Sequence, residues 1–132
     1  MHCHKILVVE DDENIRTTLI DLLASEGYEV VAAGYGKEAL ELLKNRKEDP
    51  CLILTDLMMP EMNGWELITF LKKQDIVITI PVVAMTAGKY DNLGDVKKVI
   101  KKPFHLESVV ALVKEHCGAP NAEPVTVAQT FL

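Results

Sequence analysis

The apolar run Leu52-Ile53-Leu54 ends on Thr55-Asp56, and a loop carrying Pro60 and Asn63-Gly64 follows it. An apolar run of strand length without alternation reads as a strand buried on both faces, the habit of parallel sheets covered by helices. In open parallel sheets, ligands bind beyond the carboxyl ends of the strands. A lone carboxylate at such an end is a candidate for chemistry. What matters next is which other strand ends lie beside it.

The rest of the chain supplies them. Ile6-Leu7-Val8-Val9 runs into Glu10-Asp11-Asp12, and Ile15, Leu19, Leu22 and Leu23 then recur at helical spacing up to Gly27. Glu29 to Ala33 reads as a second strand. Gly36 opens a second helix with Ala39, Leu40 and Leu43 inward, ending near Asn45, and Arg46 to Pro50 leads back to the strand before Asp56. Leu67, Ile68 and Leu71 mark a third helix to about Lys73. Ile78 to Met85 reads as a fourth strand, with Pro81 near its start. Val99-Ile100-Lys101 is a short fifth. Leu106, Val109, Val110 and Val113 form a last helical stripe that stops at Cys117-Gly118. Between the fourth and fifth strands, Gly88 and Gly94 interrupt any helix, so one or two turns or an irregular loop is expected there. Strands alternating with helices imply βαβ units with right-handed crossovers.

A length of 132 residues predicts one domain over residues 1–118, followed by a tail or linker at 119–132 that ends in Val125, Val127, Phe131 and Leu132. The net charge of -6 argues against a nucleic-acid surface, which would need a basic face. No apolar run approaches the roughly 20 residues of a membrane span, and Met1-His2-Cys3-His4-Lys5 is no secretory signal. The expected setting is cytoplasmic. Cys3, Cys51 and Cys117 show neither metal spacing nor a paired framework, which predicts three free thiols. On a strand His2 and His4 point one way and Cys3 the other, so no shared metal site is expected there.

The strand ends deliver Glu10-Asp11, Asp56, Thr86 and Lys102 to one edge of the sheet. Three carboxylates in a small cleft raise one another's pKa. A hard divalent cation relieves them, and Mg2+ suits a site that keeps waters and leaves room for phosphate oxygens. Beside such a cation Asp56 can accept a phosphoryl group covalently, with Thr86 and Lys102 donating to its oxygens. Asp12 is the expected N-cap of the first helix.

These motifs resemble the response-regulator receiver domain of two-component systems, over about Lys5 to Cys117. The resemblance rests on Val8-Val9-Glu10-Asp11, on Thr55-Asp56-Leu57-Met58-Met59-Pro60 with Asn63-Gly64, on Met85-Thr86-Ala87, and on Lys102-Pro103-Phe104. It implies an α/β fold, a doubly wound, flavodoxin-like, five-stranded parallel sheet of order 2-1-3-4-5. It also implies Asp56 as phosphoacceptor, and Glu10, Asp11, Asp56 and the Met58 backbone carbonyl around Mg2+, with Mn2+ or Ca2+ as substitutes. Thr86 becomes the switch hydroxyl and Lys102 the phosphate-binding ammonium, before a cis bond to Pro103. The partners implied are a sensor histidine kinase or histidine phosphotransfer protein, and an output partner.

Two departures stand out. The family's usual aromatic residue three positions before the lysine is here Val99, and the interval from Thr86 to Lys102 is shorter than usual by over a turn. Output through another face, that of the first helix or the tail, is the expectation. Two other functions compete. An interaction module with a vestigial pocket is disfavoured because no pocket residue is missing. A haloacid-dehalogenase-type phosphatase would need Asp-x-Asp after the first strand, where Glu10-Asp11-Asp12 stands.

Overall fold

The computed structural model describes residues 4–44, 50–57, 66, 67, 69, 73, 80–86 and 96–118. Five strands, β1 (Lys5–Val9), β2 (Glu29–Ala33), β3 (Leu52–Asp56), β4 (Val82–Thr86) and β5 (Val96–Lys101), form one sheet. All pairings are parallel, in the order β2-β1-β3-β4-β5. Among the described residues, α1 (Glu13–Ser25), α2 (Gly36–Lys44) and α3 (Leu106–Cys117) are helices. Glu66, Leu67, Thr69 and Lys73 are helical as well. This is the doubly wound arrangement expected from the sequence. Among the described residues, no helix is long and apolar enough to cross a membrane.

Alternate residues of each strand feed two cores, one on either face of the sheet. Ile6, Val8, Leu52, Leu54, Val83 and Met85 pack with Leu19 and Leu23 of α1 and with Val109, Leu112 and Val113 of α3. Leu7, Val9, Ile53, Val82 and Ala84 pack instead with Ala39, Leu40 and Leu43 of α2 and with Leu67. Each fully buried aliphatic side chain contributes roughly 1.5–3 kcal/mol. β3 and β4 are buried at every position, which is why they read as continuous apolar runs.

The helix ends follow local chemistry. Asp12 has extended backbone angles (φ -77°, ψ 115°), and its Oδ1 accepts from the Ile15 N–H at 3.0 Å, the expected N-cap. α1 stops before Gly27, whose φ of 97° is costly for a residue with a Cβ. α3 stops at Gly118 with φ 75°.

Four expectations need correction. β4 begins after Pro81 rather than at Ile78: Ile80 and Pro81 lie outside the strand, and proline has no N–H for the ladder. Pro81 still accepts from the Ile53 N–H at 3.0 Å. β5 begins three residues early, at Val96, with a register shift opposite Val82/Val83. It is an edge strand, where lysines are tolerated and mask the apolar signal. The inward stripe of α3 is Val109, Leu112, Val113 and Cys117, while Leu106 is 41% exposed. Packing against both the sheet and α1 sets that rotation. Finally, Cys51 and Cys117 are not free thiols but a disulfide, with Cα atoms 5.8 Å apart. The fold brings the start of β3 to the end of α3 across 66 residues of sequence. Of the irregular segment expected over Gly88 to Lys98, Val96 to Lys98 belong to β5; the rest of it, the ends of the segments near Asn45 and Ile78, and the tail at 119–132 lie outside the described residues.

Candidate functional site

The carboxyl ends of β1, β3, β4 and β5 meet at one edge of the sheet. Glu10 follows β1 directly, and its N–H still donates to the Ala33 carbonyl at 3.0 Å, so the strand's alignment reaches the site. Its side chain is fully buried. Glu10 Oε2 accepts from the Asp12 N–H at 3.1 Å, and Oε1 accepts from Lys102 Nζ at 2.7 Å. The same ammonium donates to Asp56 Oδ2 at 2.9 Å. Asp56 is the last residue of β3 and 4% exposed. Lys102 is fixed at its own backbone, its N–H donating to the Thr86 carbonyl at 2.8 Å. The Lys102-Pro103 bond is cis.

Thr86 ends β4 and is buried, one residue beyond Met85, which lies in register with Asp56. Asp11 is exposed, yet one carboxylate oxygen from each of Glu10, Asp11 and Asp56 lies within 4.8 Å of the others. Five of the residues singled out from sequence thus stand at one sheet edge. Met58 lies outside the described residues.

The electrostatics are those of crowded acids sharing one cation. Burial pushes the Glu10 carboxyl up to about 7, and the charge of Asp56 adds to the rise. The hydrogen bonds from Lys102 and the Asp12 N–H oppose it without cancelling it. For Lys102 burial acts downward, but the hydrogen bonds and charges of Glu10 and Asp56 carry its ammonium above its ordinary pKa. Three carboxylates against one ammonium leave room for more positive charge.

The donor set also fits a hard divalent ion. All three ligand atoms are carboxylate oxygens, and burial beside Asp56 raises the Glu10 carboxyl, a cost to its charged form that a second cation would relieve.

One positioning contact escaped the sequence. Arg16, on the first turns of α1, donates from Nη1 to the Glu10 carbonyl at 3.0 Å. A Cβ on Gly34 would lie 3.3 Å from that nitrogen, so the β2–α2 turn passes close beside it. Glu38 Oε1 accepts from the Gly34 N–H at 2.7 Å, fixing that turn from the other side. The sequence signal was faint: a basic residue four positions after the N-cap, aimed at a backbone oxygen rather than at an acid.

Residues 6–114 match the family profile of the response regulator receiver domain. The chain belongs to that family. The receiver is 33% identical over 119 residues to the polar-differentiation response regulator DivK of Brucella anthropi, covering 86% of this chain and 95% of that protein. Among solved structures, it is similar to a CheY-like receiver domain protein from Methanospirillum hungatei (TM-score 0.78, 27% identity, covering 86% of this chain and 94% of the other). Chemotaxis protein CheY4 of Vibrio cholerae is similar too (TM-score 0.75, 28% identity, covering 86% and 98%). Receiver domains are phosphorylation-type switches of two-component signalling rather than enzymes in the ordinary sense, and they bind Mg2+ at an acidic pocket. Membership implies a kinase or phosphotransfer partner and an output partner.

Proposed function

We propose that residues 1–118, with 119–132 as a tail or linker, act in the cytoplasm as a switch that accepts a phosphoryl group on Asp56. The donor is a phosphohistidine of a sensor kinase or phosphotransfer protein. An Asp56 carboxylate oxygen attacks phosphorus, the donor's N–P bond breaks, and the freed imidazole takes up a proton. The product is an aspartyl phosphate, lost later when water attacks the phosphorus and returns the carboxylate. No separate substrate is turned over.

The observation that carries this reading is Lys102 Nζ between Asp56 Oδ2 and Glu10 Oε1. An ammonium held on the acceptor itself is poised to shift its hydrogen bond from the carboxylate to an incoming phosphoryl oxygen. Thr86, at the neighbouring strand end, supplies a hydroxyl for another of those oxygens. Glu10, Asp11 and Asp56, with the Met58 carbonyl, would hold Mg2+, or Mn2+ or Ca2+ in its place. When bound, the ion neutralises negative charge between the acids and the phosphoryl group. Arg16 and the Asp12 N–H keep the Glu10 end of the site in place through the contacts above.

Val99 stands where an aromatic ring is usual, partly buried against the core on the α2 side. A β-branched side chain has little rotamer freedom to sweep outward. We therefore assign output to the face of α1 or to the tail. Phosphorylation-dependent cross-links concentrated at residues 90–99 would refute that assignment.

The test of the acceptor is incubation with acetyl phosphate and Mg2+, read by intact mass. One added phosphoryl group is expected in the unsubstituted protein and none in Asp56→Asn. An unchanged mass for the unsubstituted protein would favour an interaction module that signals by binding alone.

A further inference from the structure

The strand ends opposite the acidic site carry a second reactive group. Cys51 lies just before β3, and Cys117 is the last residue of α3; the two are bonded through sulfur. The Cys51 N–H donates to the Lys5 carbonyl at 2.8 Å, so this half of the bridge is fixed to β1. The other half sits at the end of α3, where Val113 and Cys117 also pack into the core. Tyr28 donates its hydroxyl hydrogen to the Gly118 carbonyl, and Lys114 Nζ lies 3.2 Å from Glu26 Oε1. That ion pair is well exposed and holds weakly. Cys117 is 9% exposed, whereas Cys51 is only partly covered, so an outside thiolate reaches the Cys51 sulfur more readily.

We propose that Cys51–Cys117 is a thiol–disulfide exchange site whose state sets how firmly the last turn of α3 is held against the sheet. The co-reactant is a small-molecule thiol of the glutathione class. Its thiolate attacks Cys51 Sγ, the Sγ–Sγ bond breaks, and Cys117 leaves as a thiolate that takes up a proton. A second thiolate attacks the small-molecule sulfur of the mixed disulfide, releasing the oxidised small molecule and the Cys51 thiolate, which is protonated in turn. Two thiols are oxidised, one protein disulfide is reduced, and the reverse sequence restores the bridge. The site lies at the amino end of β3 and Asp56 at its carboxyl end, so the proposal does not rest on the phosphoryl reading.

The experiment equilibrates the whole chain in mixtures of reduced and oxidised glutathione, quenches with acid, and counts alkylated cysteines by mass. One alkylated cysteine is expected at the oxidising end and three at the reducing end, with Cys51 and Cys117 changing together. Peptide mapping should give the Cys51–Cys117 link, and Cys3→Ser should leave the transition unmoved. The reduced form should melt roughly 10 °C lower, since a bridge closing a loop of this length constrains the unfolded chain strongly. Hydrogen exchange should quicken at Val113 to Gly118 more than at β1 or β3. Cys51→Ser with Cys117→Ser should behave as reduced in every buffer; comparing the two states of the unsubstituted chain gives the same reading if that variant does not fold. Three labelled cysteines throughout would overturn the proposal, as would a pair involving Cys3. So would a bridge that survives excess dithiothreitol in the native protein, or equal melting of the two states.

Discussion

Lys102→Met removes the cation between two buried carboxylates and keeps most of the apolar stem. Nζ lies 2.7 Å from Glu10 Oε1 and 2.9 Å from Asp56 Oδ2, and the side chains of Lys102, Glu10 and Asp56 are 15%, 0% and 5% exposed. At an effective dielectric of about 20, each contact corresponds to roughly 6 kcal/mol of attraction before desolvation is subtracted. Removing one partner of such a buried arrangement costs about 3–5 kcal/mol. The lower end applies, because Glu10 can take a proton in place of the lost ammonium. The expected loss in metal-free buffer above pH 7 is about 3 kcal/mol, a fall of roughly 1–2 M in the urea midpoint.

The pH dependence follows from Glu10. Its carboxyl rises from 4.5 to about 7 on folding, so the native state holds the proton that the unfolded state has lost. Its contribution to stability is full below the unfolded value and is lost as pH rises through about 7. Without the ammonium the native carboxyl moves higher still. The deficit of Lys102→Met should therefore widen as pH rises through about 7, and Mg2+ should narrow it. Urea titrations on either side of that pH, with and without Mg2+, measure all of this. Equal stability of the two proteins above pH 7 without metal, or a deficit independent of pH, would refute the reasoning.

Two neighbouring acids should respond in opposite ways. Asp11→Ala, at an exposed position, should change unfolding free energy by no more than about 0.5 kcal/mol yet weaken Mg2+ binding at least about tenfold by calorimetry. Unchanged affinity would remove Asp11 from the proposed metal set. Asp12→Ala should instead cost about 1 kcal/mol through the lost cap at Ile15 and leave Mg2+ affinity unchanged. A large affinity loss there would mean the two roles had been assigned the wrong way round.

The alternation of β3 with its helical neighbours was readable because burial on both faces imposes an unbroken apolar run, and Leu52, Ile53 and Leu54 are all fully buried. The acidic site was readable for a related reason. A buried strand has no use for a terminal carboxylate or lysine unless several strand ends share it, and Glu10, Asp56 and Lys102 do share hydrogen bonds.

What escaped the sequence depends on tertiary contact. Leu106 and Leu112 are equally apolar, and only docking against Leu19, Leu23 and the sheet decides that Leu112 turns inward. Cys51 and Cys117 carry no local signal of pairing, because their meeting is a product of the whole topology. Arg16 binds a carbonyl, and any residue can offer one. The early start of β5 was hidden by lysines that an edge strand accommodates.

The central claim is that Asp56 itself carries the phosphoryl group, and chemical trapping tests it most directly. The protein is treated with a phosphohistidine donor and Mg2+, reduced with borohydride, digested and sequenced by tandem mass spectrometry. Homoserine at position 56, in the peptide that spans the end of β3, is the result this account predicts. Trapped label at Glu10, Asp11 or His116, with position 56 still aspartate, would contradict it.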